Sequence, residues 1–292
     1  MIRPAIPERV RPPKATSNRE HAWRPTRARG PARRLRAHSR GSTRGPAQES
    51  AQLILATAST GAKPVLAVTT RGRRYWTKWP GNPHGNLSLV HELVVGRLGT
   101  RIAAPVRPTA LVEVDEALVC DQHVDGSRLP AGVYFGSELL PDVEEHTEIT
   151  RVGRDGNATR FAFYLALWDL CLGSDLQLLY HLAEHDQVWS IDHGLWFDSL
   201  EGDWTPSHLA GRADQPWPWP QNIDAAALNT EALRTAANLV EGLSCANLGE
   251  VMGQVPLEWG VADEALHTLA KFVHGRRALV AQRLRDAVGD RP

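Results

Sequence analysis

Residues 189–194, Trp-Ser-Ile-Asp-His-Gly, constrain the fold of this chain more than any other segment. They begin as a short apolar strand that runs directly into the carboxylate of Asp192, and a glycine follows two positions later. A carboxylate at the end of a buried strand suits a hard cation, which prefers oxygen ligands. The segment therefore predicts a metal-binding acid at the edge of a sheet.

Three other charged residues precede Asp192 in a suggestive order. Lys78 ends an aromatic, strand-like segment, Glu92 follows 14 positions later, and Asp175 stands 17 positions before Asp192. Taken singly, each has a plain structural interpretation as an exposed strand, helix or loop residue. In this order, however, a lysine, a glutamate and two aspartates form the skeleton of a phosphoryl-transfer site, where positive charge must neutralise the moving phosphoryl group.

Charge is unevenly distributed along the chain. Residues 1–50 hold 13 of the 33 basic residues and three of the 33 acidic ones, which leaves 20 basic and 30 acidic residues in 51–292. Large aliphatic side chains are scarce in residues 1–50, so we expect a disordered basic arm. The arm is either a contact for nucleic acid or an acidic partner, a solvated tail, or the product of a start site assigned too far upstream.

Cysteine spacing and hydropathy argue against two classes of protein. The three cysteines, Cys120, Cys171 and Cys245, are far apart and odd in number, so neither a disulfide framework nor a zinc site is indicated. A reducing, cytoplasmic location is expected. The longest apolar stretch, residues 161–172, is interrupted by Asp169 and is shorter than the roughly 20 residues of a membrane-spanning helix. We therefore expect no membrane span.

The region after the arm is typical of strands around one helix. Runs rich in β-branched and aromatic residues predict strands at 65–68, 74–79, 110–114, 117–120 and 132–136. Turn residues at 80–85 predict a loop. Leucine and valine at helical spacing from Leu87 to Leu98 then predict a helix that ends near Gly99.

The second half is predominantly helical. Apolar periodicity predicts helices at 161–172, 225–243, 245–255 and 263–288. Pro256 separates the last two, and we expect Asp263 to cap the final one. Residues 176–182 and 187–191 flank a polar turn and predict a β-hairpin.

These patterns together predict an α+β chain with a two-lobed fold of the protein-kinase type. A small β-rich N-lobe over residues 51–140 would bind a nucleotide. A larger, mostly helical C-lobe over residues 141–292 would carry the catalytic loop, the metal-binding aspartate and the C-terminal helices. Ligands of such folds bind in the cleft between lobes.

Six short segments match a known family in order and spacing. They are residues 76–78, 81–85, 89–93, 172–175, 189–194 and 255–259. With these segments and its basic final helix, the chain resembles the HipA-like kinases, in a divergent actinobacterial branch, and more distantly the phosphatidylinositol-kinase-like fold. The resemblance covers most of residues 51–288 and leaves residues 1–50 outside.

The resemblance implies a role for each matching residue. Lys78 would hold the α- and β-phosphates of ATP, and Glu92 would orient Lys78 through an ion pair. Asp175 would accept or position the proton of the acceptor hydroxyl, and Asp192 would bind Mg²⁺. The phosphate-facing loop would be residues 82–85, with Asn82, His84 and Gly85 as cofactor-binding candidates.

The catalytic loop departs from the family pattern. The family has an arginine directly after the catalytic aspartate. Five positions after that aspartate, it has an asparagine that serves as a second metal ligand. Leu176 and Tyr180 occupy those positions here. Gln177 carries the nearest amide, and we expect it to substitute as the metal ligand.

The sequence supports three functional hypotheses. The first is an ATP- and Mg²⁺-dependent kinase that phosphorylates a protein Ser or Thr hydroxyl, with a small alcohol or a lipid headgroup as alternative acceptors. The second, motivated by the altered loop around Asp175, is a nucleotide-binding pseudokinase that acts as a scaffold. The third is a nucleic-acid-associated protein whose basic arm would give binding with a steep salt dependence.

Overall fold

The computed structural model describes residues 47–124, 126–199 and 204–289. The predicted basic arm therefore lies outside the described residues, except for its last four positions. Those four positions form the start of the first strand, which therefore begins before the predicted boundary at residue 51.

The first part of the described chain contains seven strands and two helices. In chain order they are β1 (Ala47–Thr57), β2 (Val65–Thr69), β3 (Arg74–Lys78), α1 (Gly85–Arg101), β4 (Thr109–Val114), α2 (Glu116–Val119), β5 (His123–Val124), β6 (Ser127–Arg128) and β7 (Gly132–Glu138). Five of the strands close into a barrel in the order β1-β2-β3-β7-β4. The contact of β1 with β4 is parallel, and the other pairs are antiparallel.

Alternation of side chains explains the barrel. Val65 of β2, Tyr75 of β3, Val112 of β4 and Tyr134 of β7 point inward and are buried together. Successive strand residues face opposite sides, so one apolar face on each strand is enough to fill a small closed sheet.

The second part contains the remaining three strands and five helices. They are β8 (Val143–His146), α3 (Asn157–Leu170), β9 (Leu178–His181), β10 (Gln187–Ser190), α4 (Pro206–Arg212), α5 (Thr230–Glu241), α6 (Cys245–Met252) and α7 (Asp263–Ala287). Strands β8, β9 and β10 form an antiparallel sheet in the order β10-β9-β8. The predicted hairpin is the β9–β10 pair, and β8 adds an edge strand that the sequence does not predict.

Helix α3 is the centre of the larger core. It is apolar on nearly all sides and packs against α1, α5 and α7. Its one buried acid, Asp169, is paired with Arg276 and Arg283 of α7. A buried carboxylate is tolerable only when paired and hydrogen-bonded, and this one has both kinds of partner.

Two local predictions are wrong. Residues 117–120 lie in and just after helix α2 rather than in a strand, because four apolar residues are too few for periodicity to distinguish the two. The final helix is capped by Ala262, without a side-chain bond, and Asp263 lies in its first turn. There its negative charge still favours the helix dipole.

Other elements carried too little signal to be predicted. Strand β1 has mostly exposed side chains, and α4 is a single short helix after Thr205, whose side chain accepts from the N–H of His208. None of the helices in the described ranges has both the length and the apolar character needed to cross a bilayer.

Candidate active site

Lys78, the last residue of β3, meets two carboxylates that are distant in sequence. Its Nζ donates to Oδ1 of Asp192 at 2.5 Å and to Oε1 of Glu92, which lies on α1. The side chains of Lys78 and Glu92 are 8% and 3% exposed, whereas that of Asp192 is 25% exposed. The predicted convergence of these three charged residues is therefore present in the fold.

The three charges stabilise one another against the cost of burial. Burial by itself would lower the pKa of Lys78, but the carboxylates of Glu92 and Asp192 outweigh it and raise that pKa above its ordinary value. Burial would likewise raise the pKa of Glu92, yet Lys78 and His193 hold it well below its usual range. Lys78 and Glu92 are therefore both charged at neutral pH.

Glu92 also fixes the turn that follows Asp192. Its Oε2 accepts from the main-chain N–H of His193 at 3.1 Å, so one carboxylate links β3, α1 and the turn. The His193 ring lies 2.8 Å from the hydroxyl of Ser190. Asp192 itself has a positive φ of 54°, a conformation that this hydrogen-bonded turn maintains.

A second connection between α1 and this turn runs through the buried His91. Its Nδ1 lies 2.9 Å from the carbonyl oxygen of Gly194, and its Nε2 accepts from the indole N–H of Trp204 at 2.8 Å. This pattern corresponds to a neutral ring with its proton on Nδ1. Nothing in the sequence indicates this role, because an isolated histidine in a helix has many uses.

Close packing explains the glycine after Asp192. A Cβ on Gly194 would lie 3.3 Å from Cβ of Ser88, 3.5 Å from Oε1 of Glu92 and 3.6 Å from Nζ of Lys78. Glycine thus lets the turn lie directly against α1 and the charged cluster.

A cavity of about 270 Å³ opens beside the amine of Lys78. This volume is close to the lower end of the range for small-molecule sites, about 300–1,000 Å³. Trp76 and Phe135, from barrel strands β3 and β7, give the cavity an apolar lining. Gln177, Leu179 and Asp192, on or beside β9 and β10, also line it. Lys78 is the one basic side chain among the described residues that line it.

The last residue of β7 and the two residues after it, 138–140, also line this cavity. The N–H of Glu138 donates to Pro108 and that of Leu139 to Arg74, while the carbonyl of Glu138 accepts from the buried guanidinium of Arg107. None of the described residues accepts a hydrogen bond from the N–H of Leu140. This N–H is thus a main-chain donor without a described protein partner in a segment that lines the cavity.

Asp175 lies at the other end of the site and has a different environment. It is exposed, with a positive φ of 48°, and its carboxylate accepts from Nε2 of Gln177 at 2.8 Å. Gln177 lines the Lys78 cavity, and its main-chain carbonyl accepts from the N–H of Ile191, the residue before Asp192. Gln177 thus connects the exposed aspartate with the metal-acid candidate.

Tyr180 does not reach this site. It is buried in β9, where its hydroxyl donates to the carbonyl of Thr150 and accepts from the N–H of the same residue. Its ring packs edge-on against His146. The position that would hold a family asparagine is therefore part of the core here, and Gln177 is the amide residue that lines the cavity together with Asp192.

The predicted phosphate-facing loop is organised chiefly by its own hydrogen bonds. The Asn82 amide donates to the carbonyls of Trp79 and Gly85, and its oxygen accepts from the N–H of His84. The His84 ring packs against Gly61 in the β1–β2 connection. Asn82, His84 and Gly85 do not line the Lys78 cavity. Asn82 and His84 precede α1, the helix that carries Glu92, and Gly85 is its first residue.

The donor atoms fit a nucleotide-bound cation better than a metal held by protein alone. Across the described ranges, no group of three or more His, Cys, Asp or Glu side chains is placed to hold a metal ion. Asp192 would supply one or two carboxylate oxygens and Gln177 one amide oxygen, so phosphates and water would complete the shell, as is usual for Mg²⁺.

The chain has a protein-kinase-like fold. It is similar to the crystal structure of the Helicobacter pylori proinflammatory kinase CtkA, with a TM-score of 0.52 and 10% sequence identity over 82% of this chain and 97% of that one. Crystal structures of the Golgi casein kinase, one with Mn/ADP bound, match with TM-scores of 0.46 and 0.47 at 10% and 11% identity. They cover 82% and 83% of this chain and 73% and 74% of theirs.

A sequence profile for HipA-like kinases matches residues 52–285. The chain therefore belongs to the HipA-like kinase family, as its motifs predict. No curated protein matches the chain.

Proposed function

We propose that this chain is an ATP- and Mg²⁺-dependent phosphotransferase of the HipA-like type. The observation that carries the proposal is the amine of Lys78, held by Glu92 and by the partly exposed Asp192 at the wall of a cavity. A buried lysine with a fixed carboxylate partner is the arrangement that kinases use to hold nucleotide phosphates.

The cavity has a suitable environment for each part of the nucleotide. The base would lie between Trp76 and Leu179 and would accept a hydrogen bond from the N–H of Leu140. The phosphates would reach Lys78, which then exchanges its bond to Asp192 for one to phosphate oxygen. Asp192 and Gln177 would hold Mg²⁺. When bound, the cation neutralises phosphate charge and aligns the transferred group.

Transfer to an acceptor requires a base at the open end of the site. The acceptor oxygen would bond to the γ-phosphorus as the bond from that phosphorus to the bridging oxygen breaks, and ADP would leave. Asp175 is exposed and would take the acceptor proton. The Gln177 amide holds the Asp175 carboxylate in position for this step.

This proposal treats the barrel and the helical part as the N-lobe and C-lobe of a kinase. The acceptor would be the hydroxyl of a protein Ser or Thr, with a small alcohol or lipid headgroup as the alternative. Protein is favoured because Asp175 lies on an open surface, where a polypeptide can approach it.

A pseudokinase is the second candidate, and a specific observation favours it. Leu176 replaces the arginine beside the catalytic aspartate, and Tyr180 belongs to the core. A chain that binds nucleotide without transferring phosphate would tolerate both changes.

Two assays on the purified full chain separate these candidates. Calorimetric titration with ATP and Mg²⁺ measures binding, and transfer of labelled γ-phosphate to the chain itself or to Ser- and Thr-containing peptide pools measures turnover. We expect binding and transfer, both lost in Asp192→Asn. Binding without transfer to any acceptor supports the pseudokinase, and absence of binding contradicts both candidates.

A further inference from the structure

A second concave surface lies beside Asp175. It is a groove of about 450 Å³, bounded on one side by Gly173 and Leu176, which flank Asp175, and by the segment 217–222. The opposite side is formed by Thr147, Glu148 and Ile149, which follow β8. We call this surface the tryptophan groove. A ligand in the groove would contact the loop that carries the proposed base.

The aromatic wall of the tryptophan groove is fixed by three indole hydrogen bonds. The N–H of Trp217 donates to the carbonyl of Gly173 at 2.7 Å, that of Trp168 to the carbonyl of Pro218 at 2.9 Å, and that of Trp219 to Asp169 at 3.2 Å. Indole and proline side chains have little conformational freedom to lose on contact with a ligand. The wall is therefore pre-organised.

The buried acid behind this wall binds the two nearby arginines. Asp169 binds Arg276 at 2.7 Å and also Arg283, and the guanidinium of Arg283 lies 4.9 Å from the centre of the Trp219 ring. The carboxylate balances one of the two positive charges, and both guanidinium groups also donate to main-chain carbonyls, Arg276 to that of Asp169 and Arg283 to that of Trp217. Among the described residues that line the groove there is no Lys or Arg, and Glu148 is the one charged side chain.

The opposite wall continues an acidic segment, residues 138–148. This segment carries five acids and no Lys or Arg, and it lines both the Lys78 cavity and the groove. Glu145 and Glu148 are exposed and form no ion pair with any described residue. With Asp175, they give the approach to the base a negative field, which would attract cationic ligands and repel anionic ones.

We propose that the tryptophan groove binds the phosphate acceptor, an extended polypeptide segment with Lys or Arg next to its Ser or Thr. This inference rests on the proposed function for its chemistry, but the binding step stands apart from it. The basic side chain would lie against Glu148 and Glu145, apolar parts of the segment would cover Trp217 and Trp219, and the hydroxyl would reach Asp175.

Fluorescence anisotropy without nucleotide tests this binding step directly. Two labelled peptides of equal length, each with one serine, carry either arginine or glutamate at the flanking positions. We expect the arginine peptide to bind and the glutamate peptide to bind at least about five-fold more weakly, the factor that corresponds to about 1 kcal/mol.

Surface variants show whether the groove is the site. Glu148→Lys should weaken arginine-peptide binding roughly five-fold, whereas Glu184→Lys, a matched change in the β9–β10 turn, should have no effect. Thr147→Trp places a bulky ring in the groove and should abolish binding. Thr235→Trp, on the exposed side of α5, is its control. Circular dichroism and melting curves verify that all four variants remain folded.

Several results would overturn the inference. These are equal affinity for the two peptides, preference for the glutamate peptide, or identical effects of a groove variant and its control. Phosphorylation of lipid vesicles or small alcohols, unaffected by Thr147→Trp, would also overturn it.

The proposed function fails separately, if MgATP does not bind. Peptide binding that depends on Glu148 without any nucleotide binding would thus leave the groove assignment intact while contradicting the kinase assignment. In an active chain, Glu148→Lys should raise KM for the arginine peptide and leave kcat and KM for ATP unchanged.

Discussion

The two ends of the candidate site are built in different ways. Around Lys78, a buried cation is bonded to two carboxylates, and one of these also holds the turn after Asp192. Around Asp175, the carboxylate is exposed and has one side-chain partner among the described residues, Gln177. The nucleotide end is thus part of the core, whereas the acceptor end is a surface loop. Changes of substrate would cost little stability at that loop.

Lys78→Met, at the buried end of the site, should produce the largest change in stability. Glu92 would keep a buried charge without its cation, so the free energy of unfolding should fall by about 3–5 kcal/mol. Denaturant unfolding measures this loss. The double variant Lys78→Met/Glu92→Leu should recover part of it, and an unchanged stability of the single variant would show that the pair contributes little.

Asp175→Asn, at the exposed end of the site, should reduce phosphate transfer without changing stability. Loss of the proposed base should reduce phosphate transfer about 100-fold, because general-base catalysis commonly contributes that much. The side chain is exposed, so the melting temperature and ATP affinity should stay the same. A drop in stability similar to that of Lys78→Met would remove the distinction between the two ends.

The buried ion pair of Lys78 and Glu92 should also contribute to the dependence of stability on pH. The pKa of Glu92 is lowered in the fold, so its contribution is present above its ordinary pKa and is lost as the pH falls below it. The pKa of Lys78 is raised, so its contribution is present below its ordinary pKa and is lost as the pH rises above it. The free energy of unfolding should therefore change less with pH, at both low and high pH, for Lys78→Met/Glu92→Leu than for the native chain.

Substitutions of Gln177 test whether this residue, which contacts Asp175, also binds Mg²⁺. Gln177→Ala should raise the Mg²⁺ concentration for half-maximal transfer by about ten-fold, and Gln177→Asn should restore part of it. Tyr180→Phe is the control: it removes a buried hydrogen bond to Thr150 and should reduce stability without changing the Mg²⁺ requirement. Equal Mg²⁺ requirements for Gln177→Ala and Tyr180→Phe would assign the metal to other ligands.

Trp204→Phe should give the smallest effect. It removes the hydrogen bond to Nε2 of His91 and should lower stability by about 1 kcal/mol. If the turn after Asp192 depends on this bond, transfer should fall as well, and His91→Asn should reproduce the fall. Normal transfer in both variants would limit His91 to a structural role.

Much of the buried end could be predicted from sequence. Lys78, Glu92 and Asp192 each follow or lie in an element with strong periodicity, and their order matches one family. Strands β2, β3, β4 and β7 and the long helices were predicted for the same reason: their apolar faces repeat over several turns or alternate along a strand.

The rest depends on contacts that have no local signature. Tyr180 occupies a position where the family pattern suggested the site, but its hydroxyl belongs to a core contact with Thr150. His91 is bonded to Trp204, 113 positions away, and Arg107 to the carbonyl of Glu138. The loop of Asn82 and His84 has turn chemistry that predicts a loop but not the surface that it faces.

A crystal structure with Mg²⁺ and a non-hydrolysable ATP analogue tests the central claim most directly. We predict that the phosphates lie at Lys78, that the metal lies on Asp192 and Gln177, and that the bond between Lys78 and Asp192 is replaced by contacts to nucleotide and metal while Glu92 keeps its ion pair. A nucleotide bound elsewhere, with the bonds of Lys78 to both carboxylates unchanged, would contradict the account.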